Sequence, residues 1–187
     1  MNSSALTFDR RALKCEMAAE ILGCCGSLRV RATGLSMLPT IWPGDTLIIE
    51  RADGVDVAEG DIVLFRCADR FVVHRVVTKR VGATRMETKT DARGAGTVQT
   101  QGDALRRADS PISEKAVLGR VALILRSGKG IEPGRSLRRS DRAAATLFRH
   151  SELVAHIVAG VHNIRRRCAV RNSSDRVVGP QSVPCQN

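Results

Sequence analysis

The chain has 187 residues, 43% hydrophobic and 26% charged, with 30 lysines and arginines against 19 acidic residues and a formal net charge of +11. That length suits one domain with an appendage, and the apolar fraction excludes a disordered polyelectrolyte. Spanning a bilayer takes about 20 consecutive apolar residues, and the best candidate, Leu153 to Ile164, is interrupted by His156, His162 and Asn163.

The first residues carry Asp9, Arg10, Arg11, Lys14 and Glu16 where the apolar core of an export signal would sit, so a cytoplasmic or peripheral-membrane location is expected. Charge is uneven: residues 1–125 hold 18 basic and 15 acidic side chains, a net of +3, and residues 126–187 hold 12 and 4, a net of +8. A nearly neutral body with a basic C-terminal arm follows, the arm either solvated or facing an anionic partner. The six cysteines include no CxxC pair, so no zinc site is expected, and reduced thiols are the simplest reading. His150, His156 and His162 recur every six residues, about 120° out of register on a helix, which does not build a ligand set. No cofactor or metal is expected.

In chain order, residues 9–25 place Leu13, Met17, Ile21 and Leu22 at helical spacing before Gly23 and Gly26, which reads as a short amphipathic helix. From 28 to about 126 short β-like runs alternate with Gly, Pro and Asp: 28–33, 46–51, 61–66, 71–80, 84–89, 97–101 and 117–126. This texture predicts a mainly β, compact antiparallel domain, with 66–71 as a hairpin connection. The segment 127–142 reads as a polar linker, 143–167 as a second amphipathic helix, and the last 20 residues as disordered. The expected organisation is therefore 1–27 helical, 28–126 the β domain, and 127–187 the basic appendage.

Three segments carry more polar specificity than a β core needs. In the first, 32–45, a strand runs into a turn presenting Ser36, and Gly34 removes side-chain bulk two residues earlier so that an extended backbone can approach. In the second, 71–77, strand alternation puts Val72, His74 and Val76 on one face and Phe71, Val73, Arg75 and Val77 on the other. An imidazole between two valines is partly desolvated, and burial favours its neutral, proton-accepting form. In the third, Asp103 and Asp109 lie six residues apart in a loop, where they could orient an imidazole or cap turns. Serine, histidine and aspartate together are the nucleophile, base and orienter of acyl transfer.

The blocks GLSMLPTIWPGDTLII, EGDIVLF, VVHRVV, TQGDALRRAD and VLGRV, in this order over residues 30–121, resemble the successive boxes of type I signal peptidases, most closely the endoplasmic-reticulum-type branch. The resemblance implies a serine endopeptidase on the antiparallel β fold shared with the self-cleaving SOS-response repressors. It assigns Ser36 as nucleophile, His74 as general base, Asp109 as the third catalytic group, and Asp103 as a structural or supporting carboxylate of the site. Where many members carry a serine two residues before the nucleophile this chain has Gly34, which implies an oxyanion hole made of backbone donors. The implied substrate is an extended peptide with small side chains at the first and third positions before the scissile bond. Lys79 as an alternative base lies outside the matching box, and a Cys67–His74 thiol pair has no marking motif.

Three functional readings follow: a soluble or peripheral leader-peptide endopeptidase, a self-cleaving or regulatory relative of the repressors, and a non-enzymatic basic module. Contact with an anionic membrane is expected, if at all, through 143–167 lying on the surface. Nucleic acid is the less expected partner, because the roughly 28 residues before the β domain hold no helix-turn-helix.

Overall fold

The computed structural model describes residues 3–68, 70–80, 96–137, 139–150 and 160. The chain begins with α1 (Ser3–Cys25), which stops at Gly26 in the left-handed region (φ 70°), where the Gly26 N–H donates to the Leu22 carbonyl at 3.1 Å. Glycine takes that conformation without Cβ strain, which makes it a natural helix terminator. Then follow β1 (Ser27–Arg31), β2 (Thr46–Arg51), β3 (Ile62–Cys67), β4 (Arg70–Arg80), β5 (Thr97–Gln101), β6 (Ile112–Ser113), β7 (Val117–Arg126), β8 (Lys129–Ile131) and α2 (Arg139–His150). A short 3-10 turn over Glu114–Ala116 joins β6 to β7.

The strands form an eight-stranded antiparallel sheet in the order β1-β2-β7-β3-β4-β5-β6, with β8 on β7. The mainly β, antiparallel expectation is met. Both faces of the sheet are covered, and β3 shows why its run is continuously apolar rather than alternating. Ile62 and Leu64 enter one core with Leu22, Met37, Leu47, Ile49, Val121 and Ile124, while Val63 and Phe65 enter another with Val57, Val76, Val98 and Val117. A strand buried on two faces needs apolar side chains at every position.

Several readings are corrected. The apolar residues of α1 do not share one face: Leu22 is buried against Ile49 and Gly119, whereas Leu13, Met17 and Ile21 are 53%, 52% and 43% exposed. Seven residues advance a helix by nearly two whole turns, so Leu22 aligns with buried Cys15, while Leu13, Met17 and Ile21 form a separate line at four-residue spacing. The segment read as linker contains β8, a hairpin return onto β7 through Ser127 and Gly128 with φ of 51° and 80°. The second helix starts at Arg139, earlier than expected, and buries Ala145 and Phe148, the latter against Leu38. The strand read at 84–89, the helix beyond His150 except residue 160, and the tail lie outside the described residues. No described helix is long and apolar enough to cross a membrane.

Leu22→Ala should destabilise the fold by about 2–5 kcal/mol, because it removes buried methyl groups from the first core. Met17→Ala, on the exposed line of the same helix, should stay within about 0.5 kcal/mol. Urea titration of both variants tests which side of α1 carries the packing.

Candidate active site

The loop between β1 and β2 presents Ser36. Its base is closed by Ala32 N–H to the Asp45 carbonyl at 2.8 Å and by Gly44 N–H to the Ala32 carbonyl at 2.7 Å. The fully buried Asp45 carboxylate accepts from the Trp42 N–H at 2.9 Å and from Arg126 Nη2 at 2.7 Å, and Arg126 Nη2 also reaches the Thr40 carbonyl at 2.8 Å. The two residues after the serine are anchored in different places: Met37 in the first core, Leu38 against Phe148 of α2. A turn pinned on both sides leaves the serine little freedom to move.

A third hold comes from the loop after β5. The Ala104 N–H donates to the Ser36 carbonyl at 2.9 Å. A Cβ on Gly102 would stand 2.5 Å from that carbonyl oxygen, so only glycine permits the approach.

His74 is in the middle of β4, opposite Val63 on β3, and is 6% exposed. Its ring meets Phe65 edge-on, centroids 6.2 Å apart. Its Nε2 lies 3.0 Å from Ser36 Oγ, and its Nδ1 lies 2.6 Å from Asp109 Oδ2. An ionised carboxylate can only accept, so Nδ1 carries the proton and Nε2 is left to accept from the serine hydroxyl. Asp109 is positioned by β5: its N–H donates to the Thr100 carbonyl at 2.7 Å, its carbonyl accepts from Gln99 Nε2 at 3.2 Å, and its Oδ2 accepts from Thr100 Oγ1 at 2.7 Å.

Of the four residues singled out in the sequence, three converge: Ser36, His74 and Asp109 form one hydrogen-bonded chain. Asp103 takes no part in it. Its carboxylate, in a residue 4% exposed, faces the guanidinium of Arg75, with Arg75 Nε to Oδ1 and Nη2 to Oδ2 both at 2.9 Å, and the Thr40 hydroxyl donates to Oδ2. His74 and Arg75 are neighbours on a strand and so point to opposite faces. Each takes one of the two carboxylates.

Lys79 is engaged elsewhere, donating Nζ to the carbonyls of Val55 and Val57 at 2.5 and 3.0 Å. Cys67 is exposed at the hairpin end of β3, paired with Arg70 rather than facing His74. Arg75 and Thr100 were not singled out in the sequence. The signal for Thr100 was present: it alternates with Val98 on the inward face of a short strand, where a hydroxyl needs a partner.

The family model described as Peptidase S24-like matches residues 19–89. The match takes in Ser36 and His74, together with β1 through β4, and supports a serine-peptidase fold for this chain. It does not separate the signal-peptidase branch from self-cleaving relatives. A comparison with curated proteins finds no match.

Asp103→Ala should cost about 3–5 kcal/mol, because Arg75 would remain buried without its counter-charge. Urea denaturation of the variant measures the loss.

Proposed function

We propose that the protein is a serine endopeptidase of the signal-peptidase type, in which Ser36 is the nucleophile, His74 the general base and Asp109 the group that orients the base. The observation carrying this reading is the unbroken chain from Ser36 Oγ through both ring nitrogens of His74 to Asp109, at 3.0 and 2.6 Å. A histidine base paired with a carboxylate matches the sequence branch that the boxes resemble.

In this mechanism Ser36 Oγ attacks the scissile carbonyl carbon while its proton passes to His74 Nε2. The imidazolium that forms is stabilised by Asp109, which stays ionised. The developing oxyanion needs donors already in place. The Ser36 N–H is suited to that role, because no backbone carbonyl of the described residues accepts from it. His74 then gives its proton to the leaving amine, the C–N bond breaks, and an ester to Ser36 remains. A water deprotonated by His74 hydrolyses the ester, releasing the acid and restoring the serine hydroxyl. Gly34, exposed beside Ser36, leaves room for an extended substrate backbone. The substrate class inferred is an extended peptide with small residues at the first and third positions before the bond, as in Ala-x-Ala.

A second reading, self-cleavage, fits the S24-like match equally well. The two separate by molecularity. Peptide carrying Ala-x-Ala and intact protein are incubated together, and products are followed by mass. Peptide turnover lost by about a thousandfold or more in Ser36→Ala and His74→Ala supports the endopeptidase. A Ser36-dependent fragment of the protein itself, formed at a rate independent of concentration, supports self-cleavage instead. Turnover equal in wild type and both variants rejects Ser36 and His74 as catalytic groups.

A further inference from the structure

Asp109 Oδ2 accepts two hydrogen bonds: one from His74 Nδ1 at 2.6 Å and one from Thr100 Oγ1 at 2.7 Å. The Thr100 carbonyl accepts the Asp109 N–H at 2.7 Å, so one residue holds Asp109 by both its backbone and its carboxylate. Thr100 is completely buried, and it pairs with Val76 of β4, two residues beyond His74 and on the same strand face. The β4–β5 ladder therefore sets the distance between the imidazole and the group that grips its partner. The Asp109 side chain is 28% exposed, so the protein rather than deep burial must restrain its carboxylate.

A hydroxyl at this place has no packing purpose. Valine has the same shape and would fill the fully buried site without needing a partner. The hydroxyl donates to the one carboxylate oxygen that meets the ring, and a carboxylate with only one ligand on that oxygen can rotate off it.

We infer that Thr100 is a positioning residue of the reaction: its hydroxyl fixes Asp109 Oδ2 against His74 Nδ1 and thereby holds Nε2 in line with Ser36. This inference rests on the reading of Ser36, His74 and Asp109 as the catalytic chain. It extends that chain by a residue that touches neither substrate nor the reacting atoms.

The test compares Thr100→Val and Thr100→Ser with wild type on the Ala-x-Ala peptide, alone and combined with Asp109→Ala. Loss of a hydrogen bond to a charged group should lower kcat about tenfold to a hundredfold in Thr100→Val. KM should stay within about twofold, since no substrate contact is removed. Thr100→Ser should recover most of the rate. With Ala at 109 the Thr100→Val change should cost nothing more, because the hydroxyl acts through the missing carboxylate. The low-field proton resonance of His74 Nδ1–H should shift in Thr100→Val and return in Thr100→Ser. An equal rate loss with and without Asp109, or a wild-type rate with an unmoved resonance, overturns the inference. If wild type cleaves no peptide, the proposed function falls separately, and the His74 resonance alone then decides whether Thr100 sets the Asp109–His74 contact.

Discussion

The buried ion pair between Arg75 and Asp103 is the constraint on which the site depends. Each of the five N–H groups of this guanidinium has an acceptor: Asp103 Oδ1, the Gly60 and Gly134 carbonyls, Thr40 Oγ1 and Asp103 Oδ2. Burying a charge is costly unless it is both paired and fully hydrogen-bonded. Here the requirement is met by groups from four places besides β4: the turn before β3, the serine loop, the loop after β5 and the segment after β8. Satisfying Arg75 therefore draws those four segments onto one strand. The Ser36 turn and the start of the Asp109 loop are two of them.

The neighbouring residue, His74, is the one that meets Ser36 and Asp109. Adjacent strand residues point to opposite faces, so β4 directs a guanidinium one way and an imidazole the other. Asp103 and Asp109, six residues apart, are divided between them. Asp103 sits beside Gly102 and Ala104, both of which close on the Ser36 carbonyl. Asp109 continues outward to His74. One loop thus touches Ser36, Arg75 and His74.

Much of this was readable in the chain. The strands at 46–51, 97–101 and 117–126 follow from β-branched runs between turn residues, and they coincide with β2, β5 and β7. His74 was legible as a desolvated imidazole because Val72 and Val76 flank it on its own face. Other features were not. The line of Leu13, Met17 and Ile21 reads as a packing stripe, since spacing does not say which side of a helix meets the sheet. The hairpin at β8 was hidden because it spans only three residues, Lys129 to Ile131, all exposed, so they leave no burial pattern.

Residue types and strand alternation determined, by themselves, a β domain offering one serine, one sheltered histidine and two nearby carboxylates. They left open which carboxylate serves the histidine, because both lie in a loop with no periodicity to orient them. Only the tertiary structure decided it. The side of β4 on which each aspartate emerges is set by pairing between strands far apart in sequence, and by the need of a buried guanidinium for a full set of acceptors. Neither constraint is local, so neither leaves a mark on the residues around Asp103 or Asp109.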